Sequence, residues 1–97
     1  MLDYEFKTTF WDDFSIADRF GLEAVKDTYK RAFDAWQSDV TFMAELVLVL
    51  NWKCWHWYEK GQQKLSKLYS DLYYKCHHWC CDHFKGDDAE YYFDVVD

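Results

Sequence analysis

The chain contains no proline and only three glycines among its 97 residues. Proline interrupts helices more strongly than any other residue, so its absence allows long helices to form. Gly21, Gly61 and Gly86 each follow an amphipathic run, at the position where a helix commonly ends on a residue with left-handed backbone conformation. This pattern predicts an all-α fold: a compact bundle of four main helices in a single domain, residues 1–97.

The spacing of apolar residues predicts where each helix begins and ends. The first helix is expected to begin with Thr8 or Thr9 as its N-cap, because Asp12 and Asp13 would then lie in its first turn, where the helix dipole favours acids. It is expected to end at about residue 20. The other three helices are predicted at about residues 22–37, 40–60 and 62–85.

The third helix is predicted to lie at the centre of the bundle. A helix that is apolar on almost every side is typically surrounded by several neighbours, and the first three turns of this one have that character: Phe42, Met43, Leu46, Val47, Leu48, Val49 and Leu50. A buried strand over residues 46–50 is the competing interpretation, but the length of the apolar run and the lack of nearby turn residues favour a helix. Ser38 and Asp39 come just before this helix, and this pair is expected to end the second helix and cap the third.

The two ends of the chain allow two interpretations. Asp87 and Glu90 have the spacing of a capping box, which favours a short last helix over residues 88–94. Residues 91–96 also fit a strand, and the alternating segment 2–7 would then pair with it as a small terminal strand pair.

Composition restricts the classes of protein to which the chain can belong. It has 18 acidic and 11 basic residues, a formal net charge of −7 and a pI near 4.9. An aromatic content of 23% excludes an intrinsically disordered protein. Direct binding to nucleic acid is not expected, because phosphate contacts need a basic surface. The first residues are acidic and the apolar helix carries polar side chains, so we expect a cytoplasmic protein without a membrane span and with reduced cysteines.

Cysteine and histidine are concentrated in residues 76–83 (CHHWCCDH). Cys76, Cys80 and His83 have the spacing i, i+4 and i+7 of one helix face, and thiolates and imidazole are ligands of tetrahedral zinc. Small thiols buried in a hydrophobic core fit the same face, and we favour that interpretation because no C-x-x-C motif is present. His77 precedes Cys81 by one turn, as the base of a nucleophilic thiol would, but the C-terminal part of a helix disfavours a thiolate.

Acidic residues cluster near both ends of the chain: Asp12, Asp13, Asp87, Asp88, Glu90 and Asp94. Helix capping and solvated helix faces account for acids in such positions. Carboxylates on a rigid helical scaffold also imitate the phosphates of nucleic acid, and can occupy a basic channel on a partner protein. We therefore predict that these six residues supply the charge of a partner-binding surface.

Aromatic residues are dense at the end of the third helix, where Trp52, Trp55, Trp57 and Tyr58 follow one another closely. These rings cannot all point in one direction, and a core of this size cannot easily hide the 22 aromatic residues of the chain. Exposed tryptophan and tyrosine are the residue types that anchor protein interfaces. We therefore predict Trp55, Trp57 and Tyr58 as the anchors of a partner-binding surface.

Two stretches, residues 6–21 (FKTTFWDDFSIADRFG) and 47–53 (VLVLNWK), resemble parts of small uncharacterised proteins encoded on bacterial conjugative elements and prophages. The resemblance covers most of the chain in the same order. It implies an accessory protein of a mobile genetic element, located in the bacterial cytoplasm, and it implies no catalytic residue. Short acidic proteins of such elements often inhibit host defences, and anti-CRISPR and anti-restriction proteins are examples.

These observations favour a non-enzymatic binding protein without a cofactor. The expected partner is a protein with a basic surface, specifically a host nuclease or CRISPR effector that the chain would inhibit. Two alternatives remain open. One is a structural or regulatory accessory protein that self-associates, with the basic face of the fourth helix against an acidic end of a second copy. The other is a zinc-binding protein or thiol enzyme that uses the cysteine- and histidine-rich segment.

Overall fold

A computed structural model describes the backbone of residues 4–84 and the side chains of residues 10–84, and this part of the chain is an all-α bundle. It contains four helices and no strand: α1, Tyr4–Phe20; α2, Leu22–Trp36; α3, Val40–Glu59; and α4, Gln63–His83. The predicted fold class is therefore confirmed. The last helix or strand that the sequence suggested beyond residue 84 lies outside the described residues.

The start of α1 differs from its prediction. The helix begins at Tyr4, so Thr8 and Thr9 lie inside it and do not cap it, and residues 4–7 are helical rather than part of a strand. Neither proline nor glycine interrupts residues 4–9. Each further residue therefore adds a backbone hydrogen bond to a helix that is already nucleated, and extension is favoured over a cap at Thr8 or Thr9.

Short connections at the predicted positions join the helices. Gly21 and Gly61 have positive φ angles of +112° and +78°, a backbone region that side chains with a Cβ atom rarely adopt. Of the predicted pair Ser38 and Asp39, it is Asp39 that caps α3: its Oδ1 accepts hydrogen bonds from the backbone N–H groups of Thr41 at 3.0 Å and Phe42 at 3.1 Å. These connections place consecutive helices side by side.

The central position of α3 is confirmed. It packs most extensively on α4 and also contacts α1 and α2. Its buried apolar side chains are Met43, Ala44, Leu46, Val47, Val49 and Leu50. Phe14 of α1 meets Tyr69 of α4 edge to face at 5.6 Å between ring centroids, and Phe33 of α2 meets Trp79 of α4 at 4.8 Å. Aromatic contacts therefore connect the outer helices across the core.

None of the four described helices combines the length and the apolar character that crossing a lipid bilayer requires.

Candidate interaction surface

The C-terminal half of α3 presents three aromatic side chains to solvent. Trp52, Trp55 and Tyr58 are spaced three residues apart and therefore share one face of the helix. Their exposed fractions are 36%, 58% and 67%. The rings of Trp55 and Tyr58 meet edge to face at 5.7 Å, which holds them as a pair. We call these three residues the aromatic surface.

Directly behind the aromatic surface, the same helix carries a buried ion pair. Lys53 Nζ lies 3.0 Å from Asp18 Oδ2 of α1, and the two side chains are only 2% and 4% exposed. Lys53 Nζ also donates to Ser15 Oγ at 2.7 Å. A buried charge is costly unless it is paired and hydrogen-bonded, and both conditions are met here.

Asp18 connects three helices through its two carboxylate oxygens. Oδ2 also accepts a hydrogen bond from the indole Nε1–H of Trp57 on α3 at 3.0 Å, and Oδ1 accepts one from the hydroxyl of Tyr69 on α4. Burial and the hydrogen bond to Asp18 raise the pKa of Tyr69 well above its ordinary value of 10.0. The phenol therefore stays protonated and remains a donor to the carboxylate.

Aromatic rings enclose the lysine of this network. Lys53 Nζ lies 4.1 Å from the centroid of the Trp11 ring, within the range of a cation–π contact. The Trp11 ring meets His56 edge to face at 5.5 Å, and His56 meets Trp57 in the same way at 4.8 Å. Because these contacts set the rotation of α3 against α1, they also fix the outward direction of the aromatic surface.

The structure separates the three predicted aromatic anchors. Trp55 and Tyr58 are exposed, as the prediction requires. Trp57 is half-buried and donates to Asp18, so its polar edge is engaged inside the bundle. Its role is to connect α3 to α1, and the sequence could not show this because the partner lies 39 residues away.

The six predicted acids are only partly described. Asp12 and Asp13 are both exposed on α1, but on different sides of it. Asp12 follows Trp11, whose ring contacts α3, whereas Asp13 lines a groove between α1 and α2. Asp87, Asp88, Glu90 and Asp94 lie outside the described residues. Asp12 and Asp13 are therefore the two of the six acids whose exposure the structure describes.

The structure brings two of the three candidate zinc ligands, Cys76 and Cys80, together but leaves His83 apart from them. Cys76 and Cys80 are completely buried, and the hydrogen bond between them, together with burial, raises the pKa of Cys80 far above its ordinary value of 9.0. His83 is exposed: its ring stacks on Trp79 at 4.0 Å, and its Nδ1 lies 2.9 Å from the Trp79 carbonyl oxygen. Within residues 10–84, no three histidine, cysteine or acidic side chains are grouped to hold a metal ion.

The two buried thiols contact the core instead. Burial, and the neighbouring Cys76, raise the pKa of Tyr29 on α2 well above 10.0. The raised pKa of Cys80 leaves little thiolate on it at neutral pH, and thiolate is the reactive and metal-binding form. Cys76 and Cys80 therefore have the surroundings of core residues that join α4 to α2.

His77 and Cys81 do lie close together. His77 Nε2 is 3.7 Å from Cys81 Sγ, and the imidazole stacks on Tyr73 with ring planes 6° apart. Cys81 is exposed in the last turn of α4. The negative end of the helix dipole opposes a thiolate at this position, which is the reverse of the usual arrangement around a reactive cysteine.

The residues that sequence reasoning missed are Asp18 and Lys53. The available signal was a lysine in the most apolar helix of the chain, since lysine is almost never buried without a partner. The identity of that partner could not be inferred, because every acid of the chain was a candidate.

Comparison with known proteins adds no assignment of function. No protein-family model, curated protein or solved structure matches the chain. The resemblance of residues 6–21 and 47–53 to proteins of mobile elements therefore stays a prediction, and the functional conclusion depends on the side chains described above.

Proposed function

We propose that the protein is a non-enzymatic binding module that docks on a partner protein through the aromatic surface. The observation that carries this proposal is the exposure of Trp55 and Tyr58, 58% and 67%, on a helix that the Asp18–Lys53 network holds in place. Large rings held rigidly lose little conformational entropy on binding, and such residues dominate the energetics of protein interfaces.

The charge of the chain supports a partner with a basic surface. A net charge of −7 on 97 residues attracts a basic protein and repels nucleic acid. Asp12 is exposed on α1 and would supply part of this charge. The proposed partner is a host nuclease or CRISPR effector, whose nucleic-acid-binding surface the protein would occupy and thereby inhibit.

The aromatic part of the proposal is tested with the double variant Trp55→Ala/Tyr58→Ala. Loss of a true anchor ring costs about 2 kcal/mol or more, or roughly a 30-fold weaker affinity for each ring. Tyr74→Ala is the matched control, because Tyr74 on α4 is also 58% exposed and lies outside the aromatic surface. Equal affinities of both variants for the partner, measured by calorimetry, would contradict the proposal.

The charge part is tested with Asp12→Lys, and Asp34→Lys on α2 serves as the control because Asp34 is also exposed. Charge at the rim of an interface mainly changes the association rate. We therefore expect Asp12→Lys to slow association a few-fold and to weaken its dependence on salt, while Asp34→Lys has a smaller effect. A rate and a salt dependence that Asp12→Lys leaves unchanged would rule out the electrostatic contribution.

The partner itself is identified by capture from a bacterial lysate at low and high salt, followed by a cleavage assay with the purified candidate. The proposal expects a nuclease or CRISPR effector that is released as salt rises, because screening weakens contacts between exposed charges. Its cleavage of nucleic acid should fall as the wild-type protein is added, but much less with Trp55→Ala/Tyr58→Ala. Recovery of only proteins encoded on the same mobile genetic element would contradict the inhibitor role.

A further inference from the structure

A groove of about 910 Å³ runs between α1 and α2 on the outside of the bundle, away from the aromatic surface. Three large apolar side chains along it are strongly exposed: Ile16 at 56%, Phe20 at 78% and Trp36 at 38%. Phe20 is the most exposed large apolar residue in the described part of the chain. Exposed apolar side chains gathered along one groove indicate a surface that another molecule covers.

Four of the residues of α2 that line the groove are small. Ala24, Thr28, Ala32 and Ala35 follow one another at helical spacing and line it. Small side chains allow a second helix to approach closely, since the distance between helix axes depends on the side chains at the contact. The shape therefore suits a helix lying along α2.

The charges on this side of α2 are self-complementary. Asp27 and Arg31 are one turn apart, both are exposed and both line the groove. Arg31 Nη2 donates a hydrogen bond to Thr28 Oγ1 at 3.4 Å, and Thr28 lies between Asp27 and Arg31 in the sequence. An acid and a base at equal distances on either side of a point on a helix face each other when a second copy of that helix lies antiparallel across the point.

We propose that this groove is the interface of a symmetric homodimer. A two-fold axis near residue 29 places Asp27 of each copy opposite Arg31 of the other copy. The same arrangement brings the Phe20 end of one copy toward the Trp36 end of the other, so that the exposed rings at the two ends cover each other. The occupant of the groove is therefore α2 of a second copy.

The proposed dimer is of modest affinity. The 15 residues of α2 make a helix about 22 Å long, and a contact one helix pair wide lies at the small end of specific interfaces. We expect dissociation in the micromolar range. This interface does not depend on the aromatic surface, so failure of the dimer would leave the proposed function untouched, and the reverse also holds.

Sedimentation equilibrium from micromolar to millimolar protein tests the apolar contact. The wild type should change from monomer to dimer, and Phe20→Asp should raise the dissociation constant at least about tenfold, since it places a charge among apolar side chains. Tyr74→Asp is the control, because it adds the same charge at an exposed ring on α4. A wild type that stays monomeric, or a Phe20→Asp variant that still dimerises normally, would overturn the proposal.

A charge exchange distinguishes a second copy from any other occupant. Asp27→Arg alone and Arg31→Asp alone should each weaken the homodimer, because like charges then face each other twice. An equimolar mixture of these two variants should form a heterodimer with nearly wild-type affinity, and the double variant Asp27→Arg/Arg31→Asp should recover the homodimer. Circular dichroism should show unchanged helix content in all variants. Weak association in the mixture and in the double variant would refute the antiparallel α2 pairing.

Discussion

Asp18 contacts α3 and α4 from its position on α1, and one carboxylate therefore connects three helices. This residue controls the environment of Lys53, whose side chain is 2% exposed. A buried ion pair adds little stability compared with an apolar pair of the same volume, but removal of one partner leaves an uncompensated charge in the core.

We predict that Asp18→Asn lowers the free energy of unfolding by about 3 kcal/mol, because Lys53 then keeps its charge without its partner. Urea unfolding followed by circular dichroism measures this loss. Asp12→Asn is the control, since Asp12 is exposed on the same helix and its change should stay within about 0.5 kcal/mol. A loss below about 1 kcal/mol for Asp18→Asn would mean that Ser15 and the surrounding rings suffice to hold the lysine.

The double variant Asp18→Leu/Lys53→Met separates the cost of an isolated charge from the cost of losing the contact. Replacing both charges by apolar side chains removes the unpaired lysine, so we expect the double variant to be more stable than Asp18→Asn. A double variant that is less stable would show that the hydrogen bonds of Asp18 to Trp57 and Tyr69 contribute more than the ion pair.

At the scale of a helix, local chemistry explains where α3 begins. The side chain of Asp39 satisfies two backbone N–H groups that no residue within the helix can satisfy. The end of the same helix depends on Gly61, whose φ of +78° any side chain with a Cβ would strain. Because α3 is the central helix, these two short-range features position the aromatic surface.

We predict that Asp39→Ala costs about 1 kcal/mol of stability, through the loss of both hydrogen bonds to the N-terminus of α3. Thermal or urea unfolding measures the change. Asp39→Asn keeps an accepting oxygen and should retain most of the stability, whereas Asp34→Ala, an exposed position within α2, should have little effect. Equal losses for the alanine and asparagine variants would argue that the charge, rather than the cap, stabilises the helix.

At the scale of the whole molecule, three acidic groups are held protonated by burial in the core. The pKa values of Tyr29, Tyr69 and Cys80 are all raised: for the tyrosines burial is the largest cause, and for Cys80 the hydrogen bond with Cys76 comes before burial. Their ordinary values are 10.0 for tyrosine and 9.0 for cysteine. Above those values the unfolded chain releases protons that the folded protein keeps, so stability falls as pH rises.

We therefore predict full stability near neutral pH and a progressive loss above about pH 9, on the order of 1.4 kcal/mol per pH unit for each group that has titrated in the unfolded chain. Urea unfolding at about pH 8 and about pH 11 measures the slope. Tyr69→Phe starts from a lower stability, because Asp18 loses a donor, but it should lose stability less steeply with pH. A wild-type stability that does not change over this range would contradict the prediction.

The sequence by itself determined the four helices of residues 4–84, the limits of α2, α3 and α4 to within two residues, and a cap for α3 at Ser38 or Asp39. These features depend on interactions within one or two helical turns, and periodicity, glycine and capping chemistry record them directly. The start of α1 was wrong because the sequence offered a cap at Thr8 or Thr9 but no residue that stops the helix from extending past it.

Only the tertiary structure decided which side chains face inward. It paired Lys53 with Asp18, 35 residues away, and turned Trp57 toward the same carboxylate. It left Trp55 and Tyr58 exposed to solvent. The choice depends on the rotation of α3 about its own axis. For a helix that is apolar on nearly every side, that rotation is set by the neighbouring helices and not by its own hydrophobic pattern.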